Sequence, residues 1–483
     1  MSYIINNLAG KIPFDIVVKT DQNSDVAIRC NKILRLLPEK RITCEGAITG
    51  DGTSCIVKIF PAGFHGKRHY RREIQKLKAL QECNIPVPCL YYYGIAEGAY
   101  VLVLERIGEG RDFSDELNSS SDFSAKSKLL DELIHLLARQ HKEGVFQNDL
   151  HPANFVRDQR AIWTIDSAMV KVMPRRHQVG KRRAFGQLGR LLLAYEDEEN
   201  SEDILRWAFS QYCHYRGWEI STRDFEKIKR RMYRQKLASI RRLLKKSLRS
   251  NSRHLALEQS DTRFVLDRKL ASPKSFLNFL NGIDDAMEEG KVMKRGNSSF
   301  VSQIEIDGAP VVVKRYNYKG LFHAVRHTFK GSRARLSWLN GHRLMSIKIP
   351  TSEPLAFVEK RKLGCVVTSY IITSSINGIV LKDYLLRVDQ EKRCQVLDYM
   401  IRVLNKMRKY KIVHGDLKES NILVQDDGLK LVDLDGLNMF RSNLVYYLGR
   451  GHYKDRERFL RNWQDWPEVQ RMLDQGLGRI SSR

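Results

Sequence analysis

The sequence predicts an α+β fold built twice in tandem, each copy a small antiparallel β-sheet followed by a short, mostly helical part. Three observations carry this expectation. The stretches Asn148-Asp149-Leu150-His151-Pro152-Ala153-Asn154 and Gly415-Asp416-Leu417-Lys418-Glu419-Ser420-Asn421 share Asp-Leu, with an Asn five residues after the Asp. Each is followed by an apolar run and another Asp, Asp166 or Asp433, 17 residues after the first Asp in both cases. Upstream of each, two β-rich segments flank a turn rich in Gly and Asp, Gly50-Asp51-Gly52 in one half and Asp307-Gly308 in the other.

In chain order, residues 41–48 and 54–60 read as the first hairpin, and the later strand ends Ile56-Val57-Lys58. A helix is expected over 71–82, carrying Glu73 within reach of Lys58, and Ile85-Pro86-Val87-Pro88 follows. The second half answers with strands over 300–306 and 311–316, the latter holding Val312-Val313-Lys314, and then Ile349-Pro350-Thr351. Counting back from Pro350, Ser337 stands where Glu73 stands before Pro86, so the second half lacks the helix Glu. Residues 227–249 hold eleven Lys/Arg and no acid, with Leu237, Ile240, Leu243, Leu244 and Leu248 at helical spacing. This reads as a basic amphipathic helix that either lies on an anionic membrane or packs its leucines on its own domain. The expected organisation is a first domain over 1–250 with its core at about 35–200, a connector over 251–289, and a second domain over 290–483.

With 42% hydrophobic and 29% charged residues, the 483-residue chain is globular. Its net charge of +27 favours an anionic partner. The eight cysteines form no CxxC pair, which excludes a ribbon-type zinc site and a disulfide framework and suits a reducing compartment. No basic-then-apolar leader opens the chain, and no run approaches the roughly 18 apolar residues of a membrane span. A cytoplasmic protein is expected, any membrane contact being peripheral.

The Lys, Asp, Asn and Asp, in that order, match the needs of phosphoryl transfer, where protein groups mainly position reactants and neutralise charge. Asp149 and Asp416 are the candidate bases that orient an acceptor hydroxyl. Asn154 and Asn421 would reach a magnesium ion, and Asp166 and Asp433 would hold the metal that bridges the phosphates of ATP. Lys58, paired with Glu73, and Lys314 are the candidate phosphate-binding lysines, and Lys418 is placed to touch the transferred phosphate. Gly296, in Lys294-Arg295-Gly296-Asn297-Ser298-Ser299, is the candidate for a backbone phosphate cradle, whereas the first half offers only Lys40 or Arg41 there. Only fifty residues follow Asp433, there is no Ala-Pro-Glu segment, and neither Asp follows His-Arg. A small-molecule or glycolipid acceptor is therefore expected before a protein substrate.

The run His414-Gly415-Asp416-Leu417-Lys418-Glu419-Ser420-Asn421-Ile422-Leu423, with Leu431-Val432-Asp433-Leu434-Asp435, resembles the bacterial lipopolysaccharide core (heptose/Kdo) kinases, compact members of the protein-kinase-like fold. Val311 to Asn317 and Arg333 to Trp338 fit the same group, and Asn148 to Phe155 fits a diverged relative. The resemblance implies tandem protein-kinase-like domains and ATP- and Mg2+-dependent transfer of phosphate to an inner-core sugar hydroxyl. The partner it implies is nascent lipopolysaccharide core or another anionic glycolipid, at the cytoplasmic face of the inner membrane, with no nucleic acid expected. The absence of any acid from Gly308 to Ser352, against nine Lys/Arg between Lys314 and Lys348, suits such an acceptor. Two alternatives stand beside it: an atypical small Ser/Thr protein kinase of the tRNA-modification type, and a non-catalytic tandem pseudokinase scaffold.

Overall fold

The computed structural model describes residues 12–37, 40–108, 111–119, 123–148, 150–174, 177–196, 201–317, 331–425 and 428–478. Mixed α and antiparallel β structure divides into two compact units, Met1–Lys236 and Leu237–Arg483.

The first unit opens with strands β1 (Phe14–Thr20), β2 (Asp25–Leu37), β3 (Arg41–Ile48) and β4 (Ser54–Phe60), then helix α1 (Phe64–Glu82), β5 (Leu90–Ala96) and β6 (Ala99–Glu105). The six strands close into a barrel in the order β1-β2-β3-β4-β6-β5, where a small sheet beginning near residue 35 was expected. The physical reason is the strict alternation of β1, whose Phe14, Ile16 and Val18 point inward against Ile28, Cys30, Ile42, Cys44, Val57 and Val103. Closure requires β1 to touch β5 at Lys19–Ile95 and Thr20–Gly94. A Cβ on Gly94 would lie 2.0 Å from the Lys19 carbonyl oxygen, so only glycine fits the seam. The second part of the unit is helical: α2 (Phe113–Ser119), α3 (Phe123–Lys142), α4 (Lys181–Leu192) and α5 (Ser201–Arg216), with α6 (Thr222–Ser247) running through the division between units. Leu133, Ile134, Phe185, Leu188, Phe209 and Phe225 share its core. Short strands β7 (Val145–Gln147), β8 (Phe155–Arg157), β9 (Ile162–Thr164) and β10 (Val170–Val172) carry the loops around the first Asp-Asn motif.

In the second unit the stretch expected as a connector is part of the fold. It forms β11 (His254–Gln259), β12 (Thr262–Asp267), α7 (Pro273–Asn281) and α8 (Ile283–Glu289). These precede β13 (Lys291–Arg295), β14 (Ser299–Ile306), β15 (Ala309–Asn317), α9 (Arg333–Ser346), β16 (Pro354–Lys362) and β17 (Cys365–Ser374). One seven-stranded sheet runs β11-β12-β16-β17-β15-β14-β13. Phe264 and Leu266 of β12 and Phe276 of α7 are buried with Val311, Val313 and Tyr370, so the apolar residues of the stretch belong to the sheet's core. The hairpin joining β14 to β15 turns at Asp307 and Gly308, with φ of 48° and 76°, the paired positive values of a tight primed turn. The helical part follows as β18 (Ile379–Val380), α10 (Leu381–Arg387), α11 (Gln390–Lys409), β19 (Ile412–Val413), β20 (Ile422–Gln425), β21 (Gly428–Leu431), β22 (Asn438–Met439), α12 (Asn443–Leu448), α13 (Gly451–Arg461) and α14 (Pro467–Leu477).

The basic helix is α6. Ile240 is buried, Leu248 packs beside Trp338, Phe357 and Tyr316, and Leu243 is exposed. Its apolar spine is largely used in packing, leaving a solvated basic face. No helix of the described residues is long and apolar enough to cross a membrane.

Candidate active sites

In the second unit, β15 carries Lys314 to Asp433, with Nζ 2.5 Å from Oδ1, and to within 3.8 Å of Oδ2 of Asp435. Arg333, at the start of α9, holds Asp435 through Nε at 2.9 Å and through Nη2. Ser337 lines the same cavity as Lys314, its hydroxyl 3.1 Å from that of Tyr316. The helix therefore brings no acid to Lys314, and Asp433 and Asp435 supply the counter-charge. Burial pushes the Asp433 carboxyl up, but the Lys314 charge and hydrogen bond outweigh it and hold it below the usual carboxylate range. Asp433 itself sits at φ 62°, a left-handed conformation uncommon outside glycine and typical of functional turns.

The cavity holds about 200 Å3 and is lined by Lys294, Lys314, Ser337, Gly341, Val432 and Asp433 among others. Asp416, Lys418, Asn421 and Gly296 are not in its lining. The N–H of Gly296 donates to the Ser299 carbonyl at 3.0 Å, closing the β13–β14 turn, and the residue is exposed. Asn421 is tied to the cavity wall by the Val432 N–H, which donates to its carbonyl at 2.9 Å. The Asn421 side-chain NH2 donates to the Asp416 carbonyl at 2.8 Å and to Oδ2 at 3.3 Å, which turns its amide oxygen away from Asp416. Lys418 lies 3.1 Å from Asp416 Oδ2 and Arg458 lies 2.8 Å from Oδ1. Burial raises the Asp416 carboxyl, yet Lys418, Arg458 and Asn421 together hold it below its ordinary value. Such a carboxylate orients a hydroxyl better than it removes a proton.

The first unit has the buried ion pair Lys58–Glu73, with Arg41 Nη1 3.4 Å from the other Glu73 oxygen. Glu73 comes from α1, on the face where Leu77 and Leu80 are also buried. Asn154 ends a turn over Pro152–Asn154, and its carbonyl accepts from the Ile165 N–H at 2.9 Å, just before Asp166. Asp166 Oδ1 accepts from the Ala168 N–H at 3.3 Å. Asp149 lies outside the described residues.

Several local bonds recur in the two units. The Asn154 N–H donates to the His151 carbonyl as the Asn421 N–H donates to that of Lys418. The Thr164 N–H reaches the Pro86 carbonyl as the Leu431 N–H reaches that of Pro350, at 2.9 and 3.0 Å. Another shared device is absent from the sequence reading. On α13, Asp455 accepts from the His414 N–H at 2.6 Å and the Gly415 N–H at 3.0 Å, while Arg458 donates to the Gly415 carbonyl at 3.0 Å. On α4, Gln187 accepts from the Gln147 N–H at 3.3 Å and donates to the Gln147 carbonyl, while Arg190 donates to the Asn148 carbonyl. Both pairs are spaced i, i+3 on one helical face. Gln187 and Asp455 follow their Asp by 38 and 39 residues (149 to 187, 416 to 455), a near-equal offset that a comparison of the two halves would have exposed.

Among the described residues no group of three or more His, Cys, Asp and Glu forms a cation cage. Of the candidate ligands, Asp433 lines the cavity and Asn421 is bonded through its backbone to Val432 of the lining; a carboxylate and an amide oxygen are hard ligands that suit a magnesium ion retaining water and phosphate oxygens.

Residues 283–442 match the model of the lipopolysaccharide kinase (Kdo/WaaP) family, the family that the Asp416–Asp435 residues resemble. The match supports a kinase of the lipopolysaccharide type for that segment. No curated protein matches the chain. Among solved structures, a rhoptry kinase from Toxoplasma gondii aligns at 14% identity with a TM-score of 0.28. That alignment covers 34% of this chain and 52% of the other, so the chain spans about half the length of that structure.

Proposed function

We propose that the second unit is an ATP- and Mg2+-dependent kinase that phosphorylates a sugar hydroxyl of the lipopolysaccharide inner core. The observation that carries this is the Lys314–Asp433 pair in a cavity within the family-matched segment, joined through Asn421 to Asp416. Asn421 and Asp433 would hold the magnesium ion, which when bound neutralises phosphate charge. Lys314 neutralises a nucleotide phosphate once it leaves Asp433. Asp416, held by the Asp455 and Arg458 bonds to its loop, orients the acceptor hydroxyl. Lys418, beside Asp416, meets the transferred phosphate.

The first unit, in this reading, is a second protein-kinase-like domain. The recurrent bonds around Asn154 and Asn421, and Lys58 and Glu73 before them, support it. Asp149, Asn154 and Asp166 take the corresponding roles there, and either one or both units are active. The acceptor is the nascent core or another anionic glycolipid, met at the cytoplasmic face of the inner membrane. Mass spectrometry of core oligosaccharide from cells carrying Asp149→Asn, Asp416→Asn or both tests this. Loss of one phosphate in Asp416→Asn is the expected result, and Asp149→Asn reports on the first unit. A double variant that keeps every core phosphate would sink the reading.

A further inference from the structure

Helix α12 reverses the usual placement of apolar side chains. Only Tyr446 is buried, stacked on His452 with ring centroids 4.6 Å apart and lying against Phe440 at 5.9 Å. Leu444 and Leu448, one turn apart on one face, are 67% and 73% exposed, and Val445, Tyr447 and Tyr453 are exposed beside them. A single exposed leucine is ordinary, but five large side chains exposed within residues 444–453 are the concentration of apolar surface that docking sites show. The patch is anchored, since Tyr446 fixes the helix to α13.

Its surroundings are basic. From 441 to 461 the exposed charges are Arg441, Arg450, Lys454 and Arg461 against the single exposed acid Glu457, because Asp455 is buried, Arg456 is paired with Asp474 and Arg458 with Asp416. An apolar tip with a cationic collar complements the boundary between phosphate headgroups and acyl chains. A second copy of the chain would set like-charged collars against each other across a two-fold contact. The long basic helix α6 lacks the apolar half of such a surface, having spent Ile240 and Leu248 in packing.

We propose that α12 and its flanking basic residues dock the protein on an anionic lipid bilayer. Leu444, Val445, Tyr447 and Leu448 enter the interface while Arg441, Arg450 and Lys454 meet lipid phosphates. The surface stands apart from the kinase reading. Its consequence rests on that reading: α13 bears both Tyr453 and Arg458, which touches Asp416, so docking holds Asp416 near the headgroups where a lipid-linked acceptor lies.

The test is co-sedimentation of the full chain with phosphatidylcholine vesicles, with and without phosphatidylglycerol, alongside ATP binding by the same preparations. The wild type is expected to bind the anionic vesicles. Leu444→Ser/Leu448→Ser should weaken that binding about tenfold or more and leave ATP binding unchanged. Arg450→Gln/Lys454→Gln should weaken it and flatten its salt dependence. The proposal is overturned if the wild type binds neither vesicle, or if the double-Ser variant binds as the wild type does. It is equally overturned if Arg241→Gln/Arg242→Gln/Lys245→Gln alone abolishes binding. A dimer in the wild type that the Ser substitutions dissolve, without vesicle binding, would assign the patch to a second copy and also overturn it. Vesicle binding by a wild type that binds no ATP would sustain the surface and sink the kinase reading instead.

Discussion

The two units hold their strand lysine in different ways. Lys58 and Glu73 form a closed pair, with side chains 7% and 1% exposed, and the carboxylate comes from a helix. Lys314 pairs with Asp433 where the side chains are 15% and 29% exposed, and the second acid, Asp435, comes from the same loop. In the first unit the lysine is held by a carboxylate with no proposed metal role. In the second it rests on Asp433, the carboxylate proposed to hold the metal, so in that reading metal and lysine compete for it. Lys58→Met leaves the buried Glu73 with Arg41 as its one cationic partner among the described residues, and should destabilise the first unit by about 3–5 kcal/mol. Lys314→Met should cost about 1 kcal/mol, because Asp433 is open enough to be hydrated. Denaturant unfolding of the full chain measures both, and equal costs would erase the contrast.

The loop ties contrast a charge with an amide. Asp455→Ala strips the partner from two backbone N–H groups at once, and we expect a loss of about 2–3 kcal/mol. Gln187→Ala removes an amide that serves Gln147 at both N–H and carbonyl and also meets His141 Nε2 at 2.8 Å, so a similar loss is expected. Asp455→Asn keeps one acceptor oxygen and should recover part of the stability. If Asp455→Ala unfolds at the wild-type midpoint, the tie is incidental to the loop.

Which parts were legible follows from where the information lies. The two hairpins, Lys58, Glu73 and the Asp-Asn-Asp spacing are local patterns, and the strands fall where period and turn chemistry put them, while the helix expected over 71–82 ends as expected but begins at Phe64. The Ser337 departure was legible by counting from a proline, but its replacement was not. Asp435 finds Arg333 only through tertiary packing across about a hundred residues of sequence. Of the barrel's first two strands, β2 is largely exposed over its second half and lacks clean alternation, while β1 alternates cleanly but joins the barrel through its non-local pairing with β5. The 251–289 stretch was read as a connector because its two short strands are followed by acidic, helix-forming residues, Asp284-Asp285 and Glu288-Glu289. Its membership of the sheet depends on β12 pairing with β16, a non-local contact.

A pH effect comes next, and the two units share it. His141 is buried between Tyr212 and Gln187, and burial lowers it from 6.5 to about 3. The unfolded chain therefore takes a proton that the folded unit refuses. Stability is complete above about pH 6.5 and falls as pH drops through the window toward 3, by about 2 kcal/mol at pH 5. In the second unit His342 is also lowered to about 3 by burial, so its transition should weaken over the same window. His141→Gln should flatten the acid slope of the first transition alone. A slope unchanged in that variant would assign it to other groups.

The smallest effect concerns Asp435. With Ser337 in the place of the helix Glu, Asp435 is the carboxylate positioned to receive Lys314 when Asp433 takes a metal, and Arg333 keeps it aimed. Asp435→Asn removes that charge but keeps the shape. Lys314 should then stay on Asp433, and the KM for ATP should rise about five- to tenfold, on the order of 1 kcal/mol, with kcat changing less. Adding Ser337→Glu should recover part of the loss by placing the acid on the helix, as Glu73 does in the first unit. A KM for ATP unaltered by Asp435→Asn would mean that Asp435 serves only to anchor Arg333. The two units would then differ in the position of their acid without a difference in how the lysine is used.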